Sequence, residues 1–418
     1  MGLAPHRILV GMIGLFLSLT PRLSAETWSQ WGGPQRDFQV RGSTLDSWPA
    51  EGPKEIWNRP LGAGYSSILA VDGKLFTIYR EEEEEVVVAL STETGETLWS
   101  HRYDAGTPEN MRLGFGTGPH ATPLWEKGRL FTVGTAGRLW ALDAETGKPL
   151  WQKDLWQGLG GTFLYRGYGS SPIVVDDTVV VSVGGEERGA VAFSQKDGAV
   201  VWESPPFANS QSSPVLIDLE GHRQLVFFVN DEVVGVDATQ GSLLWRHPHP
   251  SSAAYNLSTP IWRAEERQLF ISSSYGGGSR VLRLSREGEE TQVEELWASK
   301  RLRIHFTNAL LLDDVVYASH GGPGAVLSMA VDFETGELVW RDRAVKRANF
   351  LAVGNQVLIL EADGRLLLAR MSRDGLTIVS EHQLFEEKSW TVPTLLGNRL
   401  FVRNEERILA LELPVEAP

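Results

Sequence analysis

The amino-acid sequence predicts an all-β fold, an eight-bladed β-propeller of four-stranded antiparallel blades, on three observations. A short hairpin closed by tryptophan recurs along the chain. The intervals between those tryptophans match four-stranded units. The two ends of the chain carry complementary fragments of one such unit, so a ring can close on itself.

The 418 residues include 15 Trp, 43 Gly, 21 Pro and no Cys, with 42% hydrophobic and 22% charged residues. This is a globular composition that excludes a disulfide framework, a thiolate zinc site and a catalytic cysteine. Length alone suggests two or three domains at roughly 150 residues each. The regular spacing of tryptophan merges them into one ring.

In chain order, residues 1–25 read as a signal peptide. His6 and Arg7 precede the apolar run Ile8 to Leu19, and Leu23-Ser24-Ala25 places a small residue at a cleavage point. That run is shorter than the about 20 residues of a membrane span and suits the middle of a Sec-type signal, which implies a periplasmic or secreted protein. A retained anchor is the alternative. The chain has no Cys to carry a lipid, and this segment has no Arg-Arg pair. Cleavage after Ala25 removes Arg7 and Arg22, leaving 37 basic and 53 acidic residues, so no general affinity for nucleic acid or anionic lipid is expected.

Residues 26–54 form an N-terminal extension, residues 55–413 the propeller and residues 414–418 a C-terminal tail. The repeats are clearest in residues 86–99, 139–151, 190–202, 233–245 and 327–340, each a β run, a polar turn with Gly and a second β run ending in Trp. The expected blade anchors are Trp57, Trp99, Trp151, Trp202, Trp245, Trp297 and Trp340, spaced by 42, 52, 51, 43, 52 and 43 residues, with a degenerate copy ending near Ser380. Upstream of each hairpin lies a second strand pair with tight-turn signals, as in residues 122–133 and 171–183. Four strands, A to D, therefore make each blade. A blade cannot bury both faces alone, and an aromatic on strand D can cover the gap to its neighbour. Gly147 in the C–D turn is expected to supply a positive φ and to hold Trp151 in place. The stretch from Trp390 to Leu413 holds three strands, and Glu55-Ile56-Trp57 is a lone strand that would complete it.

The LDAETGKPLW type of repeat, recurring over residues 57–413, resembles the pyrroloquinoline quinone (PQQ) repeat superfamily of eight-bladed propellers. That superfamily includes quinoprotein alcohol dehydrogenases, the BamB subunit of the outer-membrane β-barrel assembly machinery, and PQQ-binding-like repeat proteins. The WSQWGGPQRDF segment at 28–38, PHATPLW and GYGSSPIV look most like the last group. The resemblance is specific for fold and weak for chemistry, because one fold hosts many functions.

If strand A is innermost, the B–C and D–A connections share one face, and its longest loops are residues 101–121 and 152–170. Residues just before each A strand would ring the channel: His120, Tyr168, Gln211, Asn256, His305, Asn349 and Trp390. Arg112 and Arg166 lie in the two long loops and could meet an anionic ligand. Of these, Arg112, His120, Arg166, Tyr168, Asn256, His305 and Trp390 are the ligand-face candidates. The bland reading of His120, His305 and His320 is satisfied structural histidine, and that of Glu81 to Glu85 is a solvated loop tip.

The expected function is a non-catalytic binding or scaffolding module with a protein partner on the loop-rich face. No catalytic residue, metal or cofactor is assigned to it. The alternative is a PQQ-dependent dehydrogenase, which the resemblance would equip with PQQ and calcium. Trp390 would then be the aromatic floor, and Asn256 or Asn308 a cation ligand. The cysteine pair of many such enzymes is absent, and no stretch aligns with their calcium ligands or base.

Overall fold

The computed structural model describes residue 2 and residues 27–415, apart from 110, 113, 115, 254, 323 and 325. Apart from residue 2, the expected signal peptide lies outside the described residues, as do residues 416–418. Eight sheets form the ring, each an A–B–C–D meander of antiparallel strands. Blades 1 to 7 run in chain order over residues 69–104, 124–154, 173–203, 215–248, 261–299, 309–342 and 348–383.

Blade 8 contains Thr394–Leu396, Arg399–Arg403 and Arg407–Glu412, and its outer strand is Lys54–Pro60 from the other end of the chain. Trp57 pairs with Ala410 in that antiparallel ladder. Arg403, fully buried, reinforces the closure: its guanidinium donates to Ser66 O, Thr77 Oγ1, Ile78 O and Gly62 O of the first blade and its approach. Burial pushes its pKa down to about 9 against the opposing pull of Glu405, so it is still charged at pH 7.

Position in the blade sets the apolar pattern. Strands B and C are covered by neighbouring blades on both faces, so Lys74–Glu81 and Glu84–Ser91 are buried nearly end to end. Strand D forms the outer rim, and Thr97–Asp104 is mostly exposed. In all eight blades the C–D pairing slips by one residue just before the tryptophan position, a β-bulge that turns the side chain out of the strand's alternation. In blade 7 the bulge sets Ser380 opposite Leu368, the place of Trp99 opposite Ala89 in blade 1.

The tryptophans join blades in one direction. Nε1 of Trp57, Trp99, Trp151, Trp297 and Trp340 each donates to a carbonyl in or next to the following blade's C–D turn, at 2.8 to 3.1 Å. Gly147 has φ +71°, as its turn demands, but a Cβ there would lie 2.4 Å from Trp99 of the preceding blade. The ring that Gly147 seats is therefore Trp99, not Trp151 as expected, because the turn faces backward round the ring. Trp245 differs from the others. Blade 5 continues as a long hairpin, Gly278–Glu287 and Glu290–Ser299, with no equivalent seat. The Trp245 ring instead lies over Gly235 of its own blade and donates to Gln224 Oε1 at 2.7 Å. Gln224 then reaches Thr291 of blade 5.

The N-terminal extension is part of the fold. Trp28 pairs with Ala70 of blade 1, Ser29 O accepts from Trp125 N of blade 2, and Arg36 Nη1 donates to Pro172 O beside blade 3. Trp31 Nε1 donates to Thr259 Oγ1 before blade 5, and Gln39–Val40 adds a parallel strand inside blade 7. The segment thus fills the channel against the A strands. Further on, the backbone of Trp48 meets the Ser380 hydroxyl. The buried Trp48 ring shares one apolar cluster with blades 7 and 8, supplying an indole where blade 7 has only serine.

Glu81 to Glu85 are not simply a solvated tip. Glu85 is fully buried, its Oε2 accepting from Tyr103 at 2.7 Å and its Oε1 from Thr135 N of blade 2 at 2.8 Å. Strand alternation turned one acid of the run into the seam.

Candidate functional site

The D–A connections converge over the channel on the loop-rich face, because strand A is innermost and each D–A loop must return from rim to axis. A cavity of about 130 Å³ opens there, lined by His120, Arg166, Gln211, His305 and Trp390 among the residues singled out from sequence. Its floor includes Trp31 of the N-terminal extension and Thr259.

Aromatic rings surround this mouth. Tyr65 stacks on His120, with centroids 5.7 Å apart and planes at 9°, and on Trp390 at 5.0 Å. Phe306 lies 4.7 Å from Trp390 and 4.9 Å from His305. Cations cap the array: Arg347 sits over Phe306 and Lys388 over Trp390, at 4.9 and 5.3 Å. Such contacts hold long basic side chains in place and are worth about 0.5–1 kcal/mol where exposed. In a chain of net charge −14, Arg166, Arg347 and Lys388 gather round this mouth, with Glu405 the carboxylate that acts on Tyr65.

The two histidines are neutral at pH 7. Burial first, and then Arg347 and Arg166, push His305 down to about 4. Arg347 Nη1 approaches His305 Nδ1 at 3.4 Å, and a guanidinium can only donate, so Nε2 carries the proton toward the Tyr275 hydroxyl at 2.9 Å. Burial likewise pushes His120 down to about 4, with a backbone hydrogen bond to Arg166 opposing it. His120 Nε2 is buried without a partner. Burial, then Glu405, raise the Tyr65 phenol, which stays protonated.

A histidine whose folded pKa lies below its unfolded value gives stability that is complete above the unfolded value, near 6.5. That stability is lost as pH falls from there toward about 4. Replacing His305 with Asn is therefore expected to flatten the acid limb of the stability curve. Between the two pKa values the slope should fall by about 1.4 kcal/mol per pH unit, one proton's worth. Denaturant titrations at a series of pH values read it, and an unchanged slope would mean that His305 titrates alike in the folded and unfolded chain.

Other residues singled out from sequence lie elsewhere. Tyr168 is 2% exposed in the apolar cluster between blades 2 and 3. Asn256 is fully buried, donating to Val229 O and Asn230 O. Asn308 bonds both backbone groups of Phe350, and Asn349 donates to Trp390 O, which positions the indole. Arg112 is exposed over the Tyr165 ring at 4.5 Å, outside the cavity lining. The short amides of Asn256, Asn308 and Asn349 serve the backbone, whereas the rings of Tyr65, His120, His305, Phe306 and Trp390 line the mouth. Sequence reading did not single out Tyr65, Phe306 or Trp31. Tyr65 and Phe306 do precede A strands, so the same positional rule could have found them.

The residues do not fit PQQ with calcium. Pockets that enclose drug-sized ligands span about 300–1,000 Å³, and this cavity holds about 130 Å³. Among the described residues no three His, Cys, Asp or Glu side chains group as a cation site. A space of this size suits one side chain or a few waters, each about 30 Å³.

The family described as outer membrane protein assembly factor BamB matches residues 83–328. Outer membrane protein assembly factor BamB of Yersinia pestis is 25% identical over 315 residues, covering 71% of this chain and 75% of that protein. Quinohemoprotein alcohol dehydrogenase of Comamonas testosteroni is 28% identical over 174 residues; these span 39% of this chain and only 24% of that enzyme. Among solved structures, BamB from Moraxella catarrhalis is similar at a TM-score of 0.59 and 17% identity, covering 86% of this chain and 97% of that one. At such identity the likeness concerns the fold alone.

Proposed function

Because the chain belongs to the family described as outer membrane protein assembly factor BamB, we propose that it is a binding module that docks a protein partner on its loop-rich face. One side chain of the partner seats in the channel mouth. The ring array of Tyr65, His120, Trp390, Phe306 and His305 round a cavity of about 130 Å³ carries this reading. Aromatic residues and arginine in a desolvated pocket are the composition of interface hot spots. With the histidines neutral, Arg166, Arg347 and Lys388 outnumber the Glu405 carboxylate beside Tyr65, which favours an acidic or aromatic anchor. Export after cleavage at Ala25 goes with this reading, and the mass of the exported protein tests it.

The docking test uses a photoreactive residue at Phe306 and, as control, at exposed Leu338 on the outer rim. Crosslinks to one exported protein are expected from position 306 alone. Trp390→Ala is expected to reduce them about tenfold or more, the loss of one hot-spot residue. Equal crosslinking from both positions would sink the proposed face. If PQQ with calcium instead raises the melting temperature and Trp390→Ala abolishes the rise, the dehydrogenase reading replaces this one.

A further inference from the structure

A second site lies along the N-terminal segment, independent of the partner-docking reading. The N-terminal segment and the A strands of blades 3 to 6 enclose a groove of about 1010 Å³. Its walls include Val174, Leu216, Trp262 and Leu311, and Arg36 lines it.

Arg36 is only 9% exposed, and burial alone pushes its pKa down to about 9, so it is charged at pH 7. Its Nη1 donates to Gln30 Oε1 at 3.1 Å and to Pro172 O at 3.2 Å, which fixes the guanidinium plane. Its Nε and Nη2 are buried with no acceptor. Those two atoms form one edge of the guanidinium, the edge whose spacing matches the two oxygens of a carboxylate. The neighbouring charges are already paired: Arg41 with Asp37, and Arg263 with Glu266, Asp314 and Glu334. No carboxylate among the described residues pairs with Arg36. A buried charge left uncompensated costs several kcal/mol, and an entering oxyanion would recover much of it.

We propose that this groove binds a small organic carboxylate with an apolar body, its carboxylate on the Nε–Nη2 edge of Arg36 and its body against Leu216 and Trp262. The edge is closed to bulk water in the free protein, so binding shifts the adjoining residues 34–41 slightly to admit the ligand.

Octanoate is the probe, read by the melting temperature of the whole protein and by the Arg36 side-chain Nε–H resonance. Saturable stabilisation with a shift of that resonance is expected. Leu216→Glu, at an exposed wall position, should weaken binding about tenfold or more while the free protein melts as before, since like charge across the groove opposes the ligand. Arg36→Met should abolish octanoate binding yet leave the free protein as stable or more so, because it removes an uncompensated buried charge. A purely structural Arg36 would give the reverse, a destabilised free protein with octanoate binding retained. Equal binding of 1-octanol or of inorganic phosphate would also overturn the proposal, as would the absence of any saturable effect at about 10 mM, roughly 3 kcal/mol of affinity.

Discussion

A chain that begins at Gly62 is expected to lose cooperative unfolding and to collect in the insoluble fraction. The missing segment supplies the whole outer strand of blade 8, the Trp57 indole bonded to Thr92 O, and the buried side chains of Trp28, Val40, Leu45 and Trp48. Deleting one large buried side chain costs about 3–5 kcal/mol, and a folded domain has only about 5–15 kcal/mol to lose. The deletion also bares the edge of Arg407–Glu412, a ready template for pairing with another copy. Supplying residues 27–61 as a separate chain during refolding should restore part of the soluble protein, because the segment binds through a defined ladder and defined seats. Circular dichroism on heating and size-exclusion chromatography read both outcomes. A soluble monomer that melts like the intact protein would mean that the ring closes without this strand.

Gly147→Val is expected to have the next largest effect, about 2–5 kcal/mol. Two costs add. A β-branched residue held at φ +71° is strained by about 1–2 kcal/mol, and a side chain there collides with Trp99, whose Cε3 lies 2.4 Å from the Cβ position. Overpacking of that kind costs about 1–3 kcal/mol. Gly73→Val is the matched control. Gly73 has φ +76° but nothing within 4 Å, so it should show the backbone cost alone. The difference between the two variants, measured by denaturant unfolding, isolates the seating of Trp99 on the neighbouring blade. Equal losses from both would mean that the indole moves aside freely and the seat contributes nothing.

The strand content was legible because a hairpin writes its own pattern: apolar runs, a polar turn with glycine, and a closing tryptophan, all within about 15 residues. The count of eight and the pairing of the two termini followed from the same period. The direction of each tryptophan did not follow. Trp99 belongs by sequence with the turn before it and by contact with Gly147 of the next blade. Trp245 looks like its siblings yet folds onto its own sheet, since blade 5 is built with longer outer strands. Ser380 looks like a lost anchor until Trp48, 332 residues away, is found against it.

The site shows the same division. Strand order alone placed His120, Arg166, Gln211, His305 and Trp390 on one face, and they do line one cavity. Tyr168 and Asn256 precede their A strands in the same way, yet each is drawn inward by a backbone partner, Val183 O and Val229 O. The sequence by itself determined the repeat, its closure and the face on which the long loops gather, because those depend on local periodicity and on chain order. Only the tertiary structure decided which side chains meet at the mouth, where the N-terminal segment lies and why one edge of Arg36 meets no acceptor among the described residues. Each of those depends on contacts between residues far apart in the chain, which exist only once the ring has closed.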